Sequence, residues 1–228
     1  MKKTLSVFIF LVFAKAVLSQ ELAQVSFSGG SSLTYLSLLT DGNVQIRISP
    51  DGKILEWGTE EQSLHGGNYY APRLQPYPGR VDYYGPEADS VSRGKVKTIG
   101  SSVVTYFSAY ETAERVGKIR SVGRLFFDYY STYDNKLFQG KIKSIGNLSL
   151  GYYSAFEDEA LRGKLKSVGN TQISYYSSFD DKMIRGKIKS IGGTNYSWYT
   201  SLDRQGFGGS LKSGPFRQNI GGVVYIVQ

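Results

Sequence analysis

Gly94, Gly117, Gly140, Gly163, Gly186 and Gly209 follow one another at a constant interval of 23 residues. Around them the chain repeats itself, most plainly in "GKIKSIGNLSLGYYSAFEDEALR" (140–162) and "GKLKSVGNTQISYYSSFDDKMIR" (163–185). A period this short cannot enclose a core of its own. Each unit must bury its apolar face against its neighbours, so the array has to be a stacked or meandering repeat architecture.

Counting the glycine as zero, most copies carry Lys at +1, an aliphatic residue at +2, Lys or Arg at +3, Ser or Thr at +4, Ile or Val at +5 and Gly at +6. An aromatic pair stands at +12 and +13, and an acid at +17 follows an aromatic at +16. Tyr83 and Tyr84 fall in register one period earlier, so a degraded copy begins near Ala71.

The spacing translates into strands. Ile173, Tyr175, Ser177 and Phe179 occupy alternate positions, as do Leu150, Tyr152 and Phe156, and Phe127, Tyr129 and Tyr133. This is the period of two of a half-buried strand. "GKIKSIG" alternates too, with Lys187 and Lys189 on one face and Ile188 on the other. Residues paired directly across two antiparallel strands share a face, so a two-residue turn at Gly146-Asn147 would set lysines beside buried tyrosines. A loop of odd length or a bulge avoids this, and the odd loop is expected here, with Gly146-Asn147, Gly169-Asn170 and Gly192-Gly193 as its turn residues. For the second connection, two-residue turns at Asn135-Lys136, Asp158-Glu159 and Asp181-Lys182 would pair Tyr133 with Phe138, Phe156 with Leu161, and Phe179 with Ile184.

The expected fold is therefore all-β. Residues 71–228 form an antiparallel up-and-down meander of 23-residue β-hairpin repeats, ending in a closing strand in "GGVVYIVQ". About twelve strands at ~4.8 Å spacing would be close to ~60 Å wide if flat, so the sheet should be curled or closed. Tyr106, Tyr129, Tyr152, Tyr175 and Trp198 are expected on its covered face. Residues 20–70 form an N-terminal β region containing a hairpin over 44–58 that turns through Pro50-Asp51-Gly52, and 64–80 reads as a linker or irregular cap.

Residues 1–19 read as a signal peptide: Lys2 and Lys3, then the apolar "TLSVFIFLVFA", then Val17-Leu18-Ser19 before Gln20. The apolar run is too short for a spanning helix, so no transmembrane helix is expected after cleavage. Export is the expected route. The chain has no Cys, so packing alone must hold the product. Cleavage would lower the formal net charge from +8 to +5, because Lys2, Lys3 and Lys15 leave and no acid does. So mild a basic excess does not point to nucleic acid.

No constellation in the sequence names a reaction. The single His, His65, lies in a Gly-rich stretch without the partners a triad or a zinc site needs. The acids Glu111, Asp134, Glu157, Asp180 and Asp203 recur one per unit, a ladder rather than a catalytic pair. Turn carboxylates beside Asn135, Asp158 and Asp181 are candidate Ca²⁺ ligands, yet Asp and Asn are turn formers anyway. The reading is a non-enzyme with no catalytic residue, no cofactor and no metal.

What remains is a grid of cations and rings on the outward face. Lys141, Lys143, Lys164, Lys166, Lys187 and Lys189 flank Tyr130, Tyr153 and Tyr176. Such a grid either solvates a sheet face through lysine stems lying on rings or stacks on sugars while its lysines hold anions. The unit length is similar to that of MORN repeats, and "YYSSFDDKMIRG" resembles bacterial cell-wall-binding repeats. The Gly-rich spacing of the first and the ligand-binding Trp of the second are absent, so no functional residue is carried over.

Three functions compete: an exported structural or adhesive repeat protein, a glycan- or cell-wall-binding module whose partner is an anionic or neutral polysaccharide, and an outer-membrane β-barrel.

Overall fold

The computed structural model describes residues 21–40, 42–60, 73–203 and 206–228, and every regular element in them is a β-strand. The leader 1–19, His65 and the linker residues up to 72 lie outside the described residues. The N-terminal strands are β1 (Glu21–Ser28), β2 (Ser32–Leu39), β3 (Gln45–Ile48), β4 (Ile54–Glu60) and β5 (Leu74–Pro76). The meander follows as β6 (Val81–Tyr83), β7 (Val96–Ile99), β8 (Ser102–Tyr106), β9 (Ile119–Val122), β10 (Leu125–Tyr129), β11 (Ile142–Ile145), β12 (Leu148–Tyr152), β13 (Leu165–Val168), β14 (Thr171–Tyr175), β15 (Ile188–Ile191) and β16 (Thr194–Asn195). The last strands are β17 (Ser197–Trp198), β18 (Leu211–Ser213), β19 (Arg217–Ile220) and β20 (Val223–Val227).

Strands β6 to β16 pair in chain order as one antiparallel sheet of eleven. The order is open at β6 and β16 among the described residues. Beyond β16 the meander breaks: β17 and β18 form a separate pair, and β19 and β20 cross to the N-terminal sheet, whose order is β19-β20-β1-β2-β3-β4-β5. The expected closing strand thus leaves the repeat sheet, and β20 runs parallel to β1, with Val25 opposite Tyr225.

The lysine register is solved differently from the expectation. The turns between the two strands of a unit have two residues, since Ile145 faces Leu148 and Val168 faces Thr171. Gly146 has a φ of 55° and Asn147 is not left-handed, the type II′ pattern that matches strand twist. The extra residue sits in the strand instead. Leu150 faces Val168 and Tyr152 faces Leu165, three residues against two, so Lys166 and Ser167 bulge opposite Gly151. The same bulge recurs between Phe127/Tyr129 and Ile145/Ile142, and between Ile173/Tyr175 and Ile191/Ile188. A bulge adds one residue to one strand. Here it turns the +2 and +5 aliphatics onto one face, so Leu165 and Val168 are both buried.

The second connection is not a hairpin turn. Strands end at the +12 ring, and the chain then runs through consecutive turns to the next glycine. Tyr133, Phe156 and Phe179, expected inside, are 99%, 96% and 95% exposed.

The two sheets share one core, from Val25, Phe27, Leu36 and Ile46 on one side to Val104, Tyr129, Leu150, Tyr175 and Trp198 on the other. Of the five rings expected on the covered face, Tyr129, Tyr152, Tyr175 and Trp198 are buried and Tyr106 is half-buried. The hairpin turns of the N-terminal sheet are bonded into the repeat sheet. The Ile188 N–H donates to the Gly30 carbonyl at 2.7 Å and the Ile142 N–H to the Pro50 carbonyl at 2.9 Å.

Glycine is required where these turns seat. Gly30 has a φ of 63° and a Cβ there would collide with the Trp198 ring. Gly94 is equally left-handed at 72° but meets nothing within 4 Å. Gly30→Ala should therefore cost about 3 kcal/mol or more, and Gly94→Ala only the backbone strain of about 1–2. Denaturant melts of the two variants check the order; equal shifts would show that the turn is not seated on Trp198.

Candidate functional site

The cation and ring grid exists, and its polar groups are spent on the protein itself. At +13, the Tyr130 hydroxyl donates to the Leu150 carbonyl at 2.8 Å, Tyr153 to Ile173 at 2.9 Å and Tyr176 to Tyr196 at 3.0 Å. Each bond joins one unit to the next, and all three rings are half-buried. Their edges meet the following unit's +12 ring, Tyr130 on Tyr152 at 5.8 Å and Tyr153 on Tyr175 at 5.9 Å. The +12 hydroxyls of Tyr106, Tyr129 and Tyr175 turn back into their own unit, to Val96 at 3.0 Å, Ile119 at 2.8 Å and Leu165 at 2.9 Å, whereas the buried Tyr152 hydroxyl has no such partner among the described residues. Trp198 turns back likewise with its indole N–H, donating to Ile188 at 2.7 Å.

The lysines divide into two rows. At +1, Lys141 Nζ lies over the Tyr152 ring at 5.0 Å, Lys164 over Tyr175 at 5.3 Å and Lys187 over Trp198 at 4.6 Å. The bulge turns these lysines toward the +12 rings rather than the +13 rings. Lys141 reaches on to donate to the Gly163 carbonyl of the next unit at 2.7 Å, and Lys95 and Lys118 likewise bond Gly117 and Gly140. Lys164 and Lys187 instead bond Ser31 at 3.0 Å and Gly29 at 2.7 Å in the N-terminal turn. At +3, Lys143, Lys166 and Lys189 lie over Tyr130, Tyr153 and Tyr176 at 5.0–5.7 Å. Lys166 also pairs with Glu157 at 2.8 Å.

The acids have structural partners as well. Asp134, Glu157, Asp180 and Asp203 accept the N–H three residues back, from Ser131, Ser154, Ser177 and Thr200, at 2.6–2.7 Å. Asp158 accepts the Ser178 N–H at 3.0 Å and Asp181 the Ser201 N–H at 3.1 Å, each one unit further on. These bonds hold the carboxyls of Asp134, Asp158 and Asp181 below the usual carboxylate range, with Asp203 down to about 2 where Lys212 and Thr200 both donate to it. Among the described residues no group of three His, Cys, Asp or Glu is placed to hold a metal ion.

The feature that the sequence did not reveal is at the loop tips. Tyr110, Tyr133, Phe156, Phe179 and Leu202, one from each unit at +16, are 94–99% exposed. The loops of Phe179 and Leu202 are pinned on both sides by the carboxylates just described, those of Tyr133 and Phe156 on one side, and that of Tyr110 through the Ala109 N–H donating to Asp89 at 3.1 Å, so hydrogen-bonded loops carry five bare apolar side chains. The signal lay in Ser131-x-x-Asp134, Ser154-x-x-Glu157, Ser177-x-x-Asp180 and Thr200-x-x-Asp203. That spacing favours side-chain bonds to local backbone, which end a strand.

Comparison with protein-family models, with curated proteins and with solved structures gives no match to this chain.

Burial raises the hydroxyls of Tyr106, Tyr129, Tyr152 and Tyr175 above the usual 10.0 and carries Tyr196 to about 12. Burial also lowers Lys95, Lys118, Lys141, Lys164 and Lys187 below 10.5. The two act oppositely. Above pH 10 the unfolded chain sheds tyrosine protons that the fold retains, so stability falls as pH rises. The lysine shifts add stability as pH approaches 10.5, and the larger tyrosine shifts win. Stability should therefore drop steeply above pH 10, with tyrosinate absorbance rising together with unfolding; a gradual rise centred on 10 in a folded protein would contradict the burial of these rings.

The inter-unit bond gives a second test. Tyr153→Phe leaves the Ile173 carbonyl without its donor and should cost about 1–2 kcal/mol, while Tyr153→Ala, losing the ring contacts too, should approach the ~3 kcal/mol of a core truncation. Urea midpoints decide it.

Proposed function

We propose that this chain is an exported, non-enzymatic β-repeat protein with an adhesive role, and that its contact surface is the row Tyr110, Tyr133, Phe156, Phe179 and Leu202. In this reading each 23-residue unit contributes two strands, and the bulged sheet curls around the N-terminal turns. The polymer it grips is a polysaccharide or similar cell-surface chain, neutral or anionic, with the rings as stacking platforms.

One observation carries the proposal: five side chains at the same place in five units are at least 94% exposed on hydrogen-bonded loops. Burying a Phe side chain is worth about 1.5–3 kcal/mol. The folded chain realises none of this at Phe156 or Phe179, which leaves it for a partner. Two strands per unit set the tips ~9.6 Å apart. An extended polymer lying along them meets several weak sites at once and gains by effective concentration.

The Lys/Tyr grid is the less favoured surface, since stacking on Tyr130, Tyr153 or Tyr176 would compete with the lysines already over those rings. The barrel reading is disfavoured by strand length. The meander strands have at most five residues, against the ~9–11 that a tilted strand needs to cross a bilayer.

The test is a length series of cell-wall polysaccharides against wild type and a Tyr133→Ser/Phe156→Ser/Phe179→Ser variant. Because these side chains touch solvent, the variant should keep its melting midpoint within about 0.5 kcal/mol. Its affinity for long chains should fall at least about tenfold, which corresponds to ~1.4 kcal/mol. Binding through apolar tips should also survive added salt, whereas binding through the lysines would weaken with it. Unchanged affinity in the triple variant would overturn the assignment.

A further inference from the structure

The N-terminal turns bond three of the five equivalent +2 positions from Val96 to Ile188 on the repeat sheet, and of the two left without a turn carbonyl among the described residues, Val96 and Leu165, Val96 lines a cleft. At +2 the strands begin at Ile119, Ile142 and Ile188, whose N–H groups donate to the carbonyls of Gly52 at 3.5 Å, Pro50 at 2.9 Å and Gly30 at 2.7 Å. Val96 begins β7 in the same way: it faces Tyr83 across the same bulge that sets Ile142 against Tyr129. Among the described residues no turn carbonyl bonds the Val96 N–H, although Gly52 of the Pro50–Gly52 turn stands at the edge of the space beside it. Instead a cleft of about 250 Å³ lies between the two sheets, lined by Lys53, Ile54 and Trp57 on one wall and by Gly94, Lys95, Val96 and Tyr106 on the other. It stays open because it is at the start of the ladder. The lysine of a preceding unit lies against Gly117, Gly140 and Gly163, and nothing lies against Gly94.

We infer that this cleft is a binding site for a small carboxylate carried on a flat apolar body. The site would take a ligand oxygen where the chain elsewhere places a turn carbonyl. By equivalence with Ile142 and Ile188, the Val96 N–H is directed into the cleft as the donor for that oxygen. Two ammonium groups at the mouth favour an anion over a neutral carbonyl. Lys95 bonds Gly117 and lies over Tyr106 at 4.9 Å, and Lys53 pairs with Asp51 at 3.0 Å with 76% of its side chain exposed, so an inward turn would exchange that pair for the ligand. Trp57, Ile54 and Tyr106 supply the apolar walls. Pockets of this kind, mostly apolar with a few convergent polar groups, are where small ligands bind.

Trp57 is one of only two Trp residues, and the other, Trp198, is buried, so the cleft reports on itself. The experiment titrates the protein with benzoate, benzamide and benzylamine, following Trp57 fluorescence and the amide-proton chemical shift of Val96. Benzoate should give saturable changes in both, benzamide should bind at least about tenfold more weakly, and benzylamine should give none. Lys53→Met should reduce benzoate affinity several-fold with the fold intact, which does not depend on the more embedded Lys95. Equal binding of benzoate and benzylamine, or an unmoved Val96 amide in the presence of benzoate, would overturn the site. Neither result bears on the loop-tip row, which lies on different residues.

Discussion

An ammonium group taken partly out of water needs an acceptor, and in this protein the acceptor of each +1 lysine belongs to a different part of the chain. Lys141 finds its carbonyl on Gly163, Lys164 on Ser31 and Lys187 on Gly29. The +13 tyrosines obey the same rule, because Tyr153 has no acceptor for its buried hydroxyl until Ile173 is in place. Leaving such a donor unpaired costs about 1–3 kcal/mol, more when it is charged. A single unit is therefore unstable for polar as well as apolar reasons. The array folds because each unit satisfies the donors of the one before, the nearest-neighbour coupling that makes repeat proteins cooperative.

That coupling creates a problem at the ends, and the N-terminal sheet solves part of it. Lys164 and Lys187 donate to the Ser31 and Gly29 carbonyls of the N-terminal turn instead of to the next unit's glycine, and the Trp198 ring packs over Gly30. The Pro50–Gly52 turn does the same for the backbone of Ile119 and Ile142. The seven-stranded sheet is thus a cap bonded along the side of the array. Its strand β20, the last of the described strands, lies beside β1, the first, so the first and last described strands are tied into that cap.

Much of this was legible in the residues, and the failures have a common physical cause. The all-β class, the covered +12 rings from Tyr129 to Trp198 and the neighbourhood of +3 lysines and +13 tyrosines follow from periodicity and from residue type, whereas the +1 lysines lie over the +12 rings instead. The bulge did not show, because a period of two cannot register an extra residue: Lys166 and Ser167 look like an ordinary alternation until Leu165 and Val168 are both found buried. The loop tips were misplaced for the same reason. Phe156 continues the alternation of Leu150 and Tyr152, but the Ser154 to Glu157 bond has already ended the strand. Local side-chain bonds overrode the hydrophobic pattern. The grid was found by its residue types, yet only the geometry shows that its hydroxyls and amines are already engaged.

The five units also serve as an internal comparison at positions under no packing demand. Three residues beyond the tip, at +19, the four units described at that position carry Ala113, Lys136, Glu159 and Lys182, the variation of a solvated site free of constraint. The tip itself carries Tyr110, Tyr133, Phe156, Phe179 and Leu202. Both places face solvent, so the fold alone asks for an apolar residue at neither. The hydroxyl is dispensable from copy to copy and in one copy the ring is too, whereas apolarity is kept in all five. A feature common to five tips and called for by no packing among the described residues is what the proposed external contact would require. Loss of apolar surface from water is the contact they share, with ring stacking available at four of the five. In the proposed reading the tips act as one surface, since the same inter-unit bonds that satisfy Lys141 and Tyr153 join the units that carry them.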